Sequence, residues 1–439
     1  MFVGREQERT LLRDRLARVI AYGEMMGPLS VVTGARGLGK TSLLADVGER
    51  AARDGFVVAW VSGIKHQRFL PDVVDRVTRS LERADVLGTD SSRPARRVKD
   101  LGVEVNLGVG KVSATVGLDE AKEAATSPAL VGPVEDFFHH TANLARDRGG
   151  AGLLVVIDEL HEPLTSRAER EYIAHGPAVV DAGVLLNAAQ NMSRERERYP
   201  VGFIGAGLPQ TKALLMRAAT FGERTREVAL TGLDEQTAKA VLTEPAKQLD
   251  VSWSADVLDM AHAESGGYPP ALQTIGEAAW HAARPERGDV ITLEHVTAAQ
   301  PAVRSEMTSL FQARWDVATD GERDFLRAMA SQPGTEVRRG DVAEELGKDS
   351  DDLGMVRRSL INKGIIDAPA RGRLRFTIPG FGEFVRSQRA DSDDEQGQQQ
   401  SASGARLRAA REQLRERTSH RTARHDLPRH GPTRGGPQL

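Results

Sequence analysis

The stretch Gly34-Ala35-Arg36-Gly37-Leu38-Gly39-Lys40-Thr41 constrains the fold of this chain more than any other part of it. An apolar, β-branched run, Pro28 to Thr33, precedes it and reads as a buried strand. After it, Thr41 to Arg53 carries Leu43, Leu44 and Val47 at helical spacing. The spacing is G-x-x-x-x-G-K-T, with Ser42 next. Glycines let the backbone curl until several N–H groups point at one anion, and the following helix aims its positive end at the same place. Lys40 adds a compact charge for β- and γ-phosphates, and the Thr41 hydroxyl is a Mg²⁺ ligand of the right kind. Residues Gly34, Ala35, Arg36, Gly37, Leu38, Gly39, Lys40, Thr41 and Ser42 are therefore the expected phosphate cradle. Arg36 sits at a variable place in the loop, where phosphate contact and solvent exposure are both open.

Further strands read at Phe56–Val61, Leu153–Ile157, Val201–Ile204 and Glu227–Leu230, with helical patterns between them at about 70–83, 134–148, 177–198 and 210–219. Alternating strands and helices imply an α/β fold, a parallel sheet covered on both faces. The third strand runs into Asp158-Glu159. That places a carboxylate at the carboxyl edge of the sheet, beside the glycine-rich loop. Asp158 is the expected second Mg²⁺ residue, and Glu159 the group that polarises the attacking water. The alternative is an acidic pair capping the next helix. Two alternating runs, Val103–Leu107 and Val112–Val116, suggest a hairpin insertion over about 98–118.

From Leu233 to about Ala302 the pattern is helical only, with helices at 235–249, 254–263, 269–283 and 292–302. Further helices fit 304–316, 320–330, 339–346 and 351–363, followed by two short strands around Pro369-Ala370-Arg371-Gly372. Three helices and a hairpin is the winged-helix pattern. The expected division is an ATPase core at 1–232, a helical lid at 233–303, a winged helix at 304–388 and a disordered, Arg-rich tail at 389–439.

With these residues in order, the chain resembles the STAND and origin-recognition-like AAA (ASCE-type) P-loop ATPases. Phe2-Val3-Gly4-Arg5-Glu6-Gln7-Glu8 is similar to the box that lies against adenine in those families. Gly205-Ala206-Gly207-Leu208-Pro209 and Ser265-Gly266-Gly267-Tyr268-Pro269 are similar to the same group. The resemblance spans about residues 1–388. It implies ATP and Mg²⁺ as ligands, Val3, Gly4 and Arg5 along the adenine, and Pro269 approaching the nucleotide from the lid. Arg224, before the fifth strand, stands where such proteins offer an arginine finger to a neighbouring subunit, or else it is a surface arginine paired with Glu223 or Glu227. The sequence departs from the group at the end of the fourth strand, where no polar sensor stands and Gln210 is the nearest polar residue. It also lacks the usual lid arginine. Both departures favour a slow switch over a processive motor.

DNA is a further expected partner, through Arg357 and Arg358 on one helix and Arg371, Arg373 and Arg375 on the hairpin. Asp349, Asp351 and Asp352 at that helix's start argue against it, and an internal or protein-docking role is equally open. The whole chain has net charge -3, but residues beyond 405 hold nine arginines against three acids. Any long-range basic field therefore belongs to the tail. The absence of cysteine excludes disulfides, zinc fingers, iron–sulfur clusters and thiol nucleophiles. No apolar run reaches membrane-spanning length and Met1–Glu6 lacks a signal pattern, so the expectation is a cytoplasmic protein with ATP, a homo-oligomeric copy and an unidentified protein as further partners.

Overall fold

The computed structural model describes residues 2–64, 68, 70–88, 93, 96–102, 126–164 and 177–388. The expected hairpin insertion and the Arg-rich tail lie outside these residues, apart from 98–102, which are helical. Five parallel strands form the central sheet: β1 (Ser30–Thr33), β2 (Phe56–Ser62), β3 (Gly152–Asp158), β4 (Val201–Gly207) and β5 (Arg226–Ala229). Their order is β2-β3-β4-β1-β5. Every residue of β1, β3 and β4 is buried, which is why these strands read as unbroken apolar runs instead of alternating ones.

Alternate residues feed two separate layers. Leu153, Val155 and Ile157 pack into a core with the helices Leu70–Arg83, Pro128–Asp147 and Pro177–Met192. Leu154 and Val156 face the opposite core, with Leu12 and Leu16 of the helix Glu6–Tyr22 and Leu43, Leu44 and Val47 of Lys40–Arg53. Arg68 clamps buried Asp181 at 2.6 Å, tying the segment after β2 to the helix Pro177–Met192. The sheet order puts β4 between β1 and β3, so the glycine-rich loop and Asp158 converge at one carboxyl edge.

Residues 233–316 differ from the sequence reading in two ways. The stretch expected to be helical only also holds β6 (Ser252–Trp253) and β7 (Val290–Ile291), paired in parallel. They are too short to show periodicity. The helices expected at 292–302 and 304–316 are one helix, Leu293–Asp316, with Pro301 inside it. Thr292 and His295 close a capping box at its start, and no terminator follows until Val317. The lid-like unit thus runs without a joint into the C-terminal unit.

That unit has the order helix Asp320–Ala330, β8 (Glu336–Arg338), helix Arg339–Glu345, helix Gly354–Asn362, β9 (Ile366–Asp367) and β10 (Arg373–Phe376). Its antiparallel sheet is ordered β8-β10-β9. The helix expected from Asp351 begins at Gly354, because Asp349 accepts from the Asp351 and Asp352 N–H groups and holds the acidic run as a turn. Leu326, Leu360, Ile365, Ile378 and Phe381 share one continuous core with Ala35, Leu38 and Tyr268. The C-terminal unit is therefore packed onto the glycine-rich loop. No helix among the described residues is long and apolar enough to cross a membrane.

Candidate nucleotide site

The loop closes as its sequence requires. Gly37 and Gly39 both adopt φ of 87°, the left-handed region that favours glycine, and Gly39 caps the helix that starts at Lys40. Lys40 is buried and its Nζ donates to the carbonyls of Gly34 at 3.0 Å and Ala35 at 2.9 Å. Burial pushes its pKa down; Glu159 and Asp158 oppose this, and Arg36 and Arg314 add to it. Among the described residues this buried ammonium bonds to two neutral carbonyls, and such a group gains strongly from an anion. Thr41 Oγ1 donates to Asp158 Oδ2 at 2.7 Å. The hydroxyl and the buried carboxylate, 117 residues apart, thus meet at the same point. Ser42, next along the helix, is exposed.

Glu159 has a φ of 49°, strained for a residue with a side chain. Its N–H donates to Asp158 Oδ1 at 2.9 Å, which holds the turn. Burial raises its pKa, with Lys40 opposing. A half-buried carboxylate of raised basicity, one residue from Asp158, is suited to polarise water. His161 is buried between two acids: Nδ1 lies 3.3 Å from Glu159 Oε2 and Nε2 lies 3.4 Å from Glu162 Oε1. Burial lowers its pKa to about 4, so the imidazole is neutral near pH 7. Glu162 also accepts from Arg36 at 3.2 Å. The side chain of the loop arginine is thereby directed to Glu162 on the far side of His161. Among the described residues, Glu159, His161 and Glu162 form the group spaced to hold a metal ion.

The N-terminal box lies against the same loop. Gly4 has a φ of 84°, and a Cβ there would strike the Thr237 side chain. Arg5 is buried and donates to Thr231 O at 2.6 Å and Leu38 O at 3.2 Å. It joins the loop's end to the segment after β5. Val3, beside them, is half-buried. From the helical unit after β5, Tyr268 donates through its hydroxyl to Arg36 O at 3.2 Å, and Tyr268 and Pro270 are the residues a Cβ on Gly37 would meet. Pro269 between them is half-buried.

Arg224 is exposed, with its guanidinium 5.7 Å from the centre of the Phe221 ring. Glu227, offered as its partner, instead accepts from Thr33 Oγ1 at 2.7 Å. Gln210, just beyond β4, keeps a buried amide with no hydrogen-bond partner among the described residues. On the C-terminal unit, Arg375 pairs with Asp367 at 3.0 Å. Arg358 and Arg371 are exposed, and Arg373 is half-buried. Arg357 is half-buried, its pKa lowered by burial and then by Arg339 and Arg358. Arg314 escaped the sequence reading. It comes from the helix Leu293–Asp316 and faces the Tyr268 hydroxyl over the loop. No local pattern marks it, because only tertiary packing brings it there.

Residues 1–175 match the AAA ATPase domain, and residues 308–385 match a domain of unknown function, DUF8462. No curated protein matches the chain. The fold is similar to that of the Walker-type ATPase PABY2304 of Pyrococcus abyssi, with a TM-score of 0.55 and 14% identity over 88% of this chain and 96% of that one. The RuvB Holliday junction branch migration motor of Thermotoga maritima is 15% identical over 85% of this chain and 92% of its own, with a TM-score of 0.40. The Aeropyrum pernix ORC1 protein, solved in complex with DNA, is 14% identical over 88% and 93%, with a TM-score of 0.37. The N-terminal part of the chain thus carries an AAA-type P-loop ATPase domain on a five-stranded parallel sheet.

Proposed function

We propose that the protein binds ATP with Mg²⁺ and hydrolyses it slowly, and that its nucleotide state sets the position of a C-terminal winged helix. The observation that carries the reading is the meeting of Thr41 and Asp158 at 2.7 Å beside a buried Lys40 whose Nζ bonds, among the described residues, to loop carbonyls. The donor set fits Mg²⁺, a hard cation that takes a hydroxyl and a carboxylate and keeps waters. When bound, the ion would neutralise charge building on the phosphates. Lys40 and the loop N–H groups orient the phosphate chain. Glu159 holds and polarises the water. Val3, Gly4 and Arg5 would flank the base, and Pro269 would approach from the lid. On this reading residues 1–232 are the core, 233–303 the lid and 304–388 the winged helix. Control of the C-terminal unit is supported by its shared core with Ala35 and Leu38 of the loop.

Nucleotide affinity and ATP turnover of the wild type, Lys40→Ala and Glu159→Gln test this. Loss of binding in the first variant, and binding without turnover in the second, is the expected pair of results. Unchanged turnover in Glu159→Gln removes Glu159 from its role.

One cluster favours DNA as a further partner. Arg357 is held among Arg339 and Arg358 on the C-terminal unit, and an anion there would favour its charged form. Binding of a short duplex across a salt series, with Arg357→Ala and Arg358→Ala compared, decides this; a salt slope unaltered by both substitutions rejects it. Arg224, exposed on the core, is free to meet a neighbouring copy, which keeps an oligomerising role within the same proposal.

A further inference from the structure

The helix Glu6–Tyr22 and the amino ends of β1 and β5 border an open cavity of about 790 Å³. It lies at the opposite edge of the sheet from the glycine-rich loop, since Gly27 and Pro28 lead into β1 and the loop follows its last residue, Thr33. Four arginines line it: Arg15 and Arg18 from the helix, Arg226 from the first position of β5, and Arg196. Arg15 and Arg18 are three residues apart and so share a helix face. Arg226 is in register with Ser30 of β1, and its N–H donates to Leu29 O at 2.9 Å. Arg15 is half-buried, and its Nη2 donates to Pro28 O at 2.6 Å, its one hydrogen bond among the described residues. The same nitrogen lies 3.5 Å from the place a Cβ on Gly27 would take, so the guanidinium is seated on the Gly27–Pro28 segment.

The acids nearby do not answer these charges evenly. Glu24 pairs with Arg196 at 3.3 Å, and Glu6 is taken up by Arg9 at 3.5 Å. Arg15, Arg18 and Arg226 have no ion pair among the described residues. Burial pushes the Arg15 pKa down to about 10, and Arg226 and then Arg18 add to the shift. An anion there would favour its charged form. Phosphate suits three guanidiniums better than carboxylate does. A phosphate monoester exposes three oxygens and carries about two charges, whereas a carboxylate has two oxygens and one charge. The rest of the lining describes the rest of the ligand. Leu11, Met26 and Pro28 offer an apolar wall, and Asp14, exposed at the rim without an ion pair, can accept from a hydroxyl. The volume is in the range of small-molecule sites.

We propose that this cavity binds the phosphate group of a small organic phosphate, held by Arg15, Arg18 and Arg226. Arg15 is the fixed base of the site, because Pro28 O already sets the direction of its guanidinium. Arg18 and Arg226, both exposed, close on the phosphate from the helix and from the sheet. Asp14 turns away a bare polyanion and admits a ligand with a hydroxyl beside its phosphate. The site is separate from the glycine-rich loop and does not depend on what that loop binds. The four residues of β1 alone put about 13 Å between the two edges of the sheet.

The test uses the full chain carrying Lys40→Ala, so that phosphate binding at the loop does not mask the cavity. It is titrated by calorimetry at low salt with inorganic phosphate, with α-glycerophosphate and with a short single-stranded oligonucleotide. Both phosphates are expected to bind, α-glycerophosphate the more tightly. Arg15→Gln is expected to weaken α-glycerophosphate by about tenfold, the size of one lost charged hydrogen bond. Because Arg15 also holds Pro28, a second variant changes exposed side chains only. It combines Arg18→Gln with Arg226→Gln and is expected to lose about tenfold as well. No saturable binding of either phosphate overturns the proposal, and so does binding that the second variant keeps within about twofold. α-Glycerophosphate bound no more tightly than inorganic phosphate overturns the organic assignment. Oligonucleotide binding that both variants weaken, and with which neither phosphate competes, also overturns the proposal and gives the arginines to a nucleic-acid backbone instead.

Discussion

Glu322, 3% exposed, receives the Nζ of Lys363 at 2.6 Å across 41 residues, and the same carboxylate accepts from the Thr319 N–H at 2.6 Å. Glu322 therefore closes the capping box of the helix Asp320–Ala330 and fastens the end of the helix Gly354–Asn362 to it. The residue after Lys363 is Gly364, whose missing Cβ would lie 3.7 Å from Arg36 of the glycine-rich loop. The ion pair thus fixes the part of the C-terminal unit that touches the loop.

Removing that lysine leaves a buried carboxylate with hydrogen bonds but no cation. Lys363→Met is expected to destabilise the protein by about 2 kcal/mol, read as a lower urea midpoint. Burial pushes the Glu322 pKa up, but Lys363, Ser359 and the Thr319 N–H outweigh it and the net shift is downward. A carboxylate with a depressed pKa contributes stability that is present above its unfolded value and lost as pH falls through the folded one. The difference between wild type and Lys363→Met should shrink in acid.

His161 also costs stability in acid. Its folded pKa of about 4 lies below the ordinary 6.5, so below pH 6.5 the unfolded chain takes up a proton that the folded chain does not. Its contribution to stability falls as pH drops from 6.5 towards 4. Melting temperatures of wild type and His161→Gln across that window should converge or cross, with the wild type showing the steeper acid loss. Parallel curves would show that the buried imidazole is not responsible.

Gly37 has no room for a side chain. A Cβ there would collide with the Tyr268 hydroxyl and come within 3.0 Å of Pro270, at a φ of 87° that already disfavours alanine. Gly37→Ala is expected to push the lid off the loop and weaken ATP binding by about tenfold, a loss of about 1.4 kcal/mol. Adding Tyr268→Phe removes the hydroxyl and should recover part of that loss. Titration with a fluorescent ATP analogue reads both changes.

Asp181 is entirely buried and held by Arg68 at 2.6 Å, while also accepting from the Leu70 N–H at 3.2 Å. Asp181→Asn keeps the shape but removes the charge that Arg68 faces. A cost of about 2–4 kcal/mol is expected for breaking a buried pair on one side, seen as a lower denaturant midpoint without change in the ATP affinity of the protein that remains folded.

The phosphate loop, the strand ending in Asp158 and the five-stranded core were legible because each depends on local sequence. Glycines at fixed spacing and apolar runs of strand length carry their own meaning. Strands such as β3 were clear for the same reason, since burial on both faces leaves only apolar residues. The rest depends on contacts between distant residues. Nothing near Glu162 announces Arg36, and nothing near Arg314 announces Tyr268. Where a joint was expected at residue 303, one helix, Leu293–Asp316, runs through with Pro301 inside it. Inside a long helix supported by packing on either side, one proline removes a single backbone bond and the helix continues. Strands β6, β7 and β8 were invisible because strands of two or three residues have no period to detect.

The helix Leu293–Asp316 has 24 residues, so at about 1.5 Å per residue it is a rod of roughly 36 Å. One end is built into the unit that covers the nucleotide site, and the other ends at Trp315, under the C-terminal unit. A rod converts a small rotation at one end into a larger displacement at the other. A tilt of about 5° around the lid would carry Trp315 by roughly 3 Å over that length, close to the width of an atom. Interdigitated cores do not absorb such a shift gradually. On the switch proposed above, the C-terminal unit either keeps its seat on the loop or leaves it, and a graded movement at the lid becomes a choice between two positions.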